Sequence, residues 1–96
     1  MFVVVTYDVN TETTEGKRRL RNVAKICKNY GVRVQNSVFE CVVDSIQLME
    51  LKNKISEVMC CETDSVRYYN LGTEGRRRVE HVGVKPGLNV DEPLIF

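Results

Sequence analysis

The sequence predicts an α+β domain, an antiparallel sheet with two helices packed on one of its faces, and three observations lead there. An apolar strand opens the chain at FVVVTYDVN, two stretches of helical period lie between strand-like runs, and the runs follow the order β-α-β-β-α-β with one more short strand. That order is the split βαβ pattern.

Phe2, Val3, Val4, Val5, Tyr7 and Val9 leave the first strand without a polar face, so it is expected at the centre of the sheet with both sides covered. Asp8 stands at its exit. Thr11 to Gly16 is a polar loop in which Thr13 or Thr14 can cap a helix, with Glu12 and Glu15 near its positive end. In the helix that follows, Leu20, Val23, Ala24, Cys27 and Tyr30 recur on the sheet-facing side, while Arg18, Arg21, Lys25 and Lys28 fall on the opposite, solvated side. Gly31 is the expected stop.

Val34 and the run Val38 to Val43 read as a hairpin turning at Asn36-Ser37, where Asn tolerates positive φ. Asp44 or Ser45 then caps a second helix, with Gln47 at capping-box spacing from Asp44 and Leu48, Leu51, Ile55 and Val58 or Met59 as its buried face. It ends near Cys60. Ser65 to Leu71 alternates Val66 and Tyr68 against Arg67, Tyr69 and Leu71 and closes at Gly72; a last strand, Val79 to Val84, follows a loop carrying Arg76, Arg77 and Arg78. The whole is a ferredoxin-like domain over residues 1–84, with an apolar tail, 85–96, packing on a second copy or on its own domain. Because such a sheet leaves one face open and the first strand is apolar on both sides, a second copy of the chain is the economical cover.

At 96 residues the chain buries about 65% of the surface its unfolded form exposes, a real but modest core. Its start has no basic leader, and no run approaches the roughly 18 apolar residues of a membrane span, so a cytoplasmic protein is expected. The four cysteines form no CxxC pair and His81 is the only histidine, which argues against a Cys/His zinc site and for reduced structural thiols. Net charge is only +1, but it is segregated: Lys17, Arg18, Arg19, Arg21, Lys25, Lys28 and Arg33 lie together with no acid among them. Such a run creates a local positive field, either a solvated face or a phosphate-binding stripe.

There is no GxxxxGK[ST] or GxGxxG loop, no Ser/His/Asp or Cys/His pairing can be argued, and His81 inside a strand suits packing or surface better than catalysis. Carboxylate chemistry with a metal and phosphate binding remain. Asp8 either caps a turn or is held rigidly as a metal ligand or base. Magnesium keeps several waters and uses one or two protein carboxylates, so two Asp8 side chains across a two-fold axis would serve it. In the split βαβ layout the hairpin strand neighbours the first, bringing the Ser37 to Phe39 segment towards Asp8.

MFVVVTYDVN, GKRRLRNVAKICKNYGVRVQNSVFECVVD, DSVRYYNLG and VEHVGVKP with an EPLIF ending resemble the second of the universal CRISPR-associated adaptation proteins, the Cas-two family, and within it the type I-C members. The likeness covers nearly the whole chain. It implies a ferredoxin-like homodimer that partners the CRISPR integrase in spacer acquisition, and a magnesium- or manganese-dependent endonuclease acting on double-stranded DNA or, in some members, on RNA. It also implies Asp8 as the metal ligand, Tyr7, Ser37 and Phe39 as further motif positions, and Arg18, Arg21, Lys25 and Arg33 as nucleic-acid contacts. Other readings stand beside these: Phe39 as core packing, Arg33 in a surface ion pair with Glu40, and Asn10, Glu40 and Asp44 as solvated polar residues. As functions, a non-catalytic DNA-binding adaptor and, more weakly, a small-ligand sensor are the alternatives to the enzyme.

Overall fold

The computed structural model describes residues 1–72 and 78–84, and its elements follow the expected order: β1 (Phe2–Asp8), α1 (Thr14–Lys28), β2 (Gly31–Gln35), β3 (Val38–Val42), α2 (Ser45–Val58), β4 (Ser65–Asn70) and β5 (Arg78–Gly83). All pairings are antiparallel, in the sheet order β2-β3-β1-β4-β5. The opening strand is thus central, with Val5 opposite Phe39 on one side and Tyr68 on the other. The apolar tail 85–96 and the loop arginines Arg76 and Arg77 lie outside the described residues.

The helices begin where local chemistry dictates. The Thr13 hydroxyl oxygen accepts from the Gly16 N–H at 2.9 Å, and Asp44 and Gln47 form a reciprocal capping box that satisfies two amides at the start of α2. The core is continuous: Val23, Ala24 and Cys27 of α1 and Leu51 and Ile55 of α2 bury against Val3, Val5, Tyr7, Phe39, Cys41, Val66 and Tyr68 of the sheet. All four cysteines are free thiols, two of them buried. Among the described residues no helix is long and apolar enough to cross a membrane.

Two local expectations need correction. Gly31 does not stop α1 through a left-handed cap. The helix ends at Lys28 with Asn29 as a right-handed C-cap, and Gly31 opens β2, where an added Cβ would sit 1.9 Å from the Glu40 carbonyl oxygen. Close strand approach is what the glycine permits. The hairpin does turn at Asn36-Ser37, but no described residue other than glycine has positive φ; an irregular register between Arg33 and Gln35 absorbs the twist.

Strand alternation separates the two faces of β1. Val3, Val5 and Tyr7 are buried under the helices, whereas Phe2, Val4 and Thr6 are only half-buried and Asp8 is exposed. Of the cover expected on both sides, the described residues supply one side. On the open face Val42, opposite Phe2, is 72% exposed, and Val32, opposite Glu40, is 60% exposed.

Candidate functional site at the exit of the central strand

Asp8 is the last residue of β1, opposite Ser65 of β4. By the alternation of the strand it belongs to the open face, with Phe2, Val4 and Thr6. The hairpin turn reaches the same end of the sheet, because the Tyr7 N–H donates to the Ser37 carbonyl at 2.9 Å and Thr6 lies opposite Val38. Asp8 and Ser37 are therefore brought together, as the sheet order requires.

Phe39 and Tyr7 go elsewhere. Phe39 is fully buried, opposite Val5 in the layer beneath the helices, and the Arg33 guanidinium lies 5.7 Å from its ring centroid. That cation does not reach Glu40; its Nε donates to the Asn36 carbonyl at 2.9 Å, tying the strand to its own turn. Tyr7 is buried too, and its hydroxyl donates to a carboxylate oxygen of Asp64. Burial, and then that bond, push the Tyr7 phenol well above its usual value.

Arg18, Arg21, Lys25 and Lys28 are exposed along α1. Among the described residues the ion pairs are Arg19–Asp64 and Lys52–Glu80, so the stripe carries no carboxylate partner. The cations remain available to an external anion.

The sequence reading missed Asp64 and Arg19. Asp64 is completely buried, and Arg19, counted as one cation of the run, leaves the stripe to meet it. Arg19 Nε and Nη2 donate to its two oxygens at 2.7 and 3.2 Å. Burial by itself would raise the Asp64 carboxyl, but the bonds from Arg19, Tyr7, the Cys60 amide and Thr63 outweigh it and hold the group below its ordinary value. Helical phase was the available signal. Arg19 stands three residues after buried Gly16 and four before buried Val23, on the inward side of α1.

For a metal, a single chain offers little: among the described residues no three His, Cys, Asp or Glu side chains cluster as ligands. One exposed carboxylate at a rigid strand end fits magnesium or manganese as half a site, completed by a second copy or by substrate phosphate.

Comparison with known proteins gives this geometry its context. The family model for CRISPR associated protein Cas2 matches residues 1–79. The chain is 53% identical over 96 residues, all of both chains, to a CRISPR-associated endonuclease Cas2 of Halalkalibacterium halodurans. It is 52% identical over 94 residues, 98% of this chain and 99% of the relative, to a CRISPR-associated endoribonuclease Cas2 of Rhodospirillum rubrum. A crystal structure of Streptococcus pyogenes Cas2 at pH 6.5 superposes with a TM-score of 0.74 at 53% identity, covering 77% of this chain and 89% of that one. With the strand order and the strand-end aspartate already in place, the family match over four-fifths of its length makes the chain a member of the Cas2 family of CRISPR-associated proteins.

Proposed function

We propose that the chain is a homodimeric, magnesium- or manganese-dependent endonuclease that cuts double-stranded DNA in preference to RNA. The same dimer serves the CRISPR integrase in the cytoplasm during spacer acquisition, within a type I-C-like system. The observation that carries the reading is Asp8, an exposed carboxylate at the end of the central strand, on the apolar face that a second copy would cover. A two-fold axis over that face brings two Asp8 side chains together, so the dimer and the metal are one hypothesis. When bound there, the ion would supply Lewis-acid polarisation of the phosphodiester and a lowered pKa for the attacking water. Asp8 would hold it, Ser37 would line the same strand end, and Arg33 and the α1 stripe would hold the sugar-phosphate backbone.

The preference for duplex DNA rests on the resemblance of the chain as a whole to type I-C members. The Rhodospirillum relative is named an endoribonuclease, which makes RNA the competing substrate. Incubating the purified protein with duplex DNA, single-stranded DNA and RNA, each with magnesium, manganese or chelator, separates the cases. Metal-dependent loss of duplex alone supports the proposal, and loss of RNA alone reassigns the substrate.

The lone carboxylate per chain also favours a second reading, a non-catalytic adaptor whose cationic stripes bind DNA for the integrase. Spacer acquisition that survives Asp8→Ala in cells selects it. Under either reading, replacing Arg18 and Arg21 by Ala lowers affinity for all duplex sequences alike and reduces the slope of log K against log salt by about 2, one unit for each phosphate no longer neutralised. An unchanged slope identifies a merely solvated face.

The dimer has its own test. Val32→Lys with Val42→Lys places two charges on exposed positions of the open face, leaving the monomer's core untouched. Sedimentation is expected to shift from the two-chain to the one-chain mass. A retained dimer puts the interface elsewhere.

A further inference from the structure

Asp64 joins four parts of the fold. Its carboxylate takes the Tyr7 hydroxyl from β1, the Arg19 guanidinium from α1, and the Cys60 amide and Thr63 hydroxyl from the turn before β4, the last two at 3.1 and 3.0 Å. Its backbone carbonyl takes the Val84 N–H at the end of β5 at 3.0 Å. The side chain is wholly enclosed, and no buried side-chain oxygen or nitrogen among the described residues lacks a partner.

Such a pair is a poor device for stability. Taking the carboxylate wholly, and the guanidinium largely, out of water costs about as much as their attraction returns, and well-packed apolar residues of the same volume commonly do as well or better. What the pair does supply is geometry: the planar fork of an arginine on both oxygens of one carboxylate fixes the orientation of each. The place being fixed is specific. Tyr7 is the residue before Asp8, and Asp64 is the residue before Ser65, which lies opposite Asp8 across the β1–β4 pair. The carboxylate therefore braces the strand end carrying Asp8 from both strands, and ties it to the helix carrying the cationic stripe.

We propose that Asp64 is a positioning residue for Asp8, acting with Arg19 and through Tyr7, so that the Asp8 carboxylate and the cationic face of α1 are presented as one rigid unit. This rests on the reading of Asp8 as a metal ligand, and it changes the role expected of Tyr7. Buried under the helices, Tyr7 holds its neighbour in place and does not touch phosphate. Sites that bind a metal or reacting group need their ligands held to within about 0.5 Å, which a frayed strand end cannot do.

Tyr7→Phe, Asp64→Asn, the double variant and Asp8→Ala test this in the full chain by two measurements. Manganese affinity is read by paramagnetic resonance of the free ion, and local order by hydrogen exchange of the Tyr7 and Val84 amides against those of α2. Loss of a bond to a charged group should accelerate exchange of the Tyr7 and Val84 amides by about tenfold and weaken manganese binding by a similar factor, leaving α2 within about twofold. Asp64→Asn should do at least as much, and adding Tyr7→Phe to it should cost less than Tyr7→Phe costs in wild type, because the tyrosine acts through the carboxylate and the amide left there is the weaker acceptor. Multiplying effects of the two substitutions would overturn the proposal by giving Tyr7 a role of its own. Equal acceleration of every protected amide would overturn it as well, showing general stabilisation only. If Asp64→Asn does not fold, Arg19→Lys replaces it in the exchange and manganese measurements alone: acceleration confined to the strand end with weaker manganese binding supports the brace, and equal acceleration of every protected amide overturns it. Manganese binding untouched by Asp8→Ala sinks the metal reading instead, and the exchange data then decide on the strand-end brace alone.

Discussion

Asp8→Ala is expected to lower metal-dependent cutting by a factor of about 10² or more, since among the described residues no cluster of three His, Cys, Asp or Glu side chains stands ready to take over the ion. The fold should hardly notice. Asp8 is exposed and its side chain carries no hydrogen bond or ion pair among the described residues, so the change belongs with surface substitutions worth about 0.5 kcal/mol, or up to about 4 °C in a domain of this size. The sign is informative. In a dimer whose two Asp8 carboxylates approach each other without metal, like charges repel, and removing them should raise the midpoint slightly in chelator. Adding magnesium should then raise the wild-type midpoint by mass action and leave that of Asp8→Ala unmoved. Thermal melts with and without ion, beside the cutting assay, check both halves; equal cutting by the variant would sink the enzyme.

Most of the fold was legible because its signals are local. The run from Phe2 to Val5 permits little but a central strand, the Asp44–Gln47 spacing names the start of α2, and Asn36-Ser37 marks the turn. Gly31 was misread because a glycine after a helix has two explanations, and only the tertiary approach of β3 chooses between them. Of the candidate site, the sequence showed that Asp8 and Ser37 would share one end of the sheet, and much less about where the other motif side chains would lie. Motif likeness groups Tyr7, Asp8, Ser37 and Phe39 together, whereas strand parity sends Asp8 to the open face and Tyr7 and Phe39 into the core. Arg19 was hidden by its neighbours: in a run of six cations over twelve positions, Lys17 to Lys28, composition speaks louder than helical phase. Asp64 gave no sign of burial, since the partners that permit it come from positions 7, 19, 60 and 63.

That buried carboxylate carries the largest expected effect on stability. Asp64→Ala leaves the Arg19 guanidinium facing a vacated site and strands the Tyr7 hydroxyl and the Cys60 amide without acceptors. Arg19 stays 23% exposed, so the charge left behind is partly solvated and the loss falls short of a fully buried pair, about 2–3 kcal/mol, still a large share of the total for a domain of this size; the midpoint should fall by roughly 10 °C or more. Asp64→Asn, which keeps an acceptor, should cost less. The pH dependence separates charge from packing. Because the folded protein holds the Asp64 carboxyl below its ordinary value, the ionised pair stabilises at every pH above that value, about 3.9, and the contribution drains away as pH falls through the lower folded value. The gap in midpoint between wild type and Asp64→Asn should therefore be constant from neutral pH down to about 4 and close below it. At the alkaline end burial holds the Tyr68 and Tyr7 phenols above their usual value, and the bond to the Asp64 carboxylate raises Tyr7 further in wild type alone, so both proteins lose stability as pH climbs past about 10 and the gap should narrow there too. A gap that persists undiminished at the lowest pH where both still fold would mean that Asp64 contributes through shape and neutral hydrogen bonds, and the ionic account of the strand-end brace would fall with it.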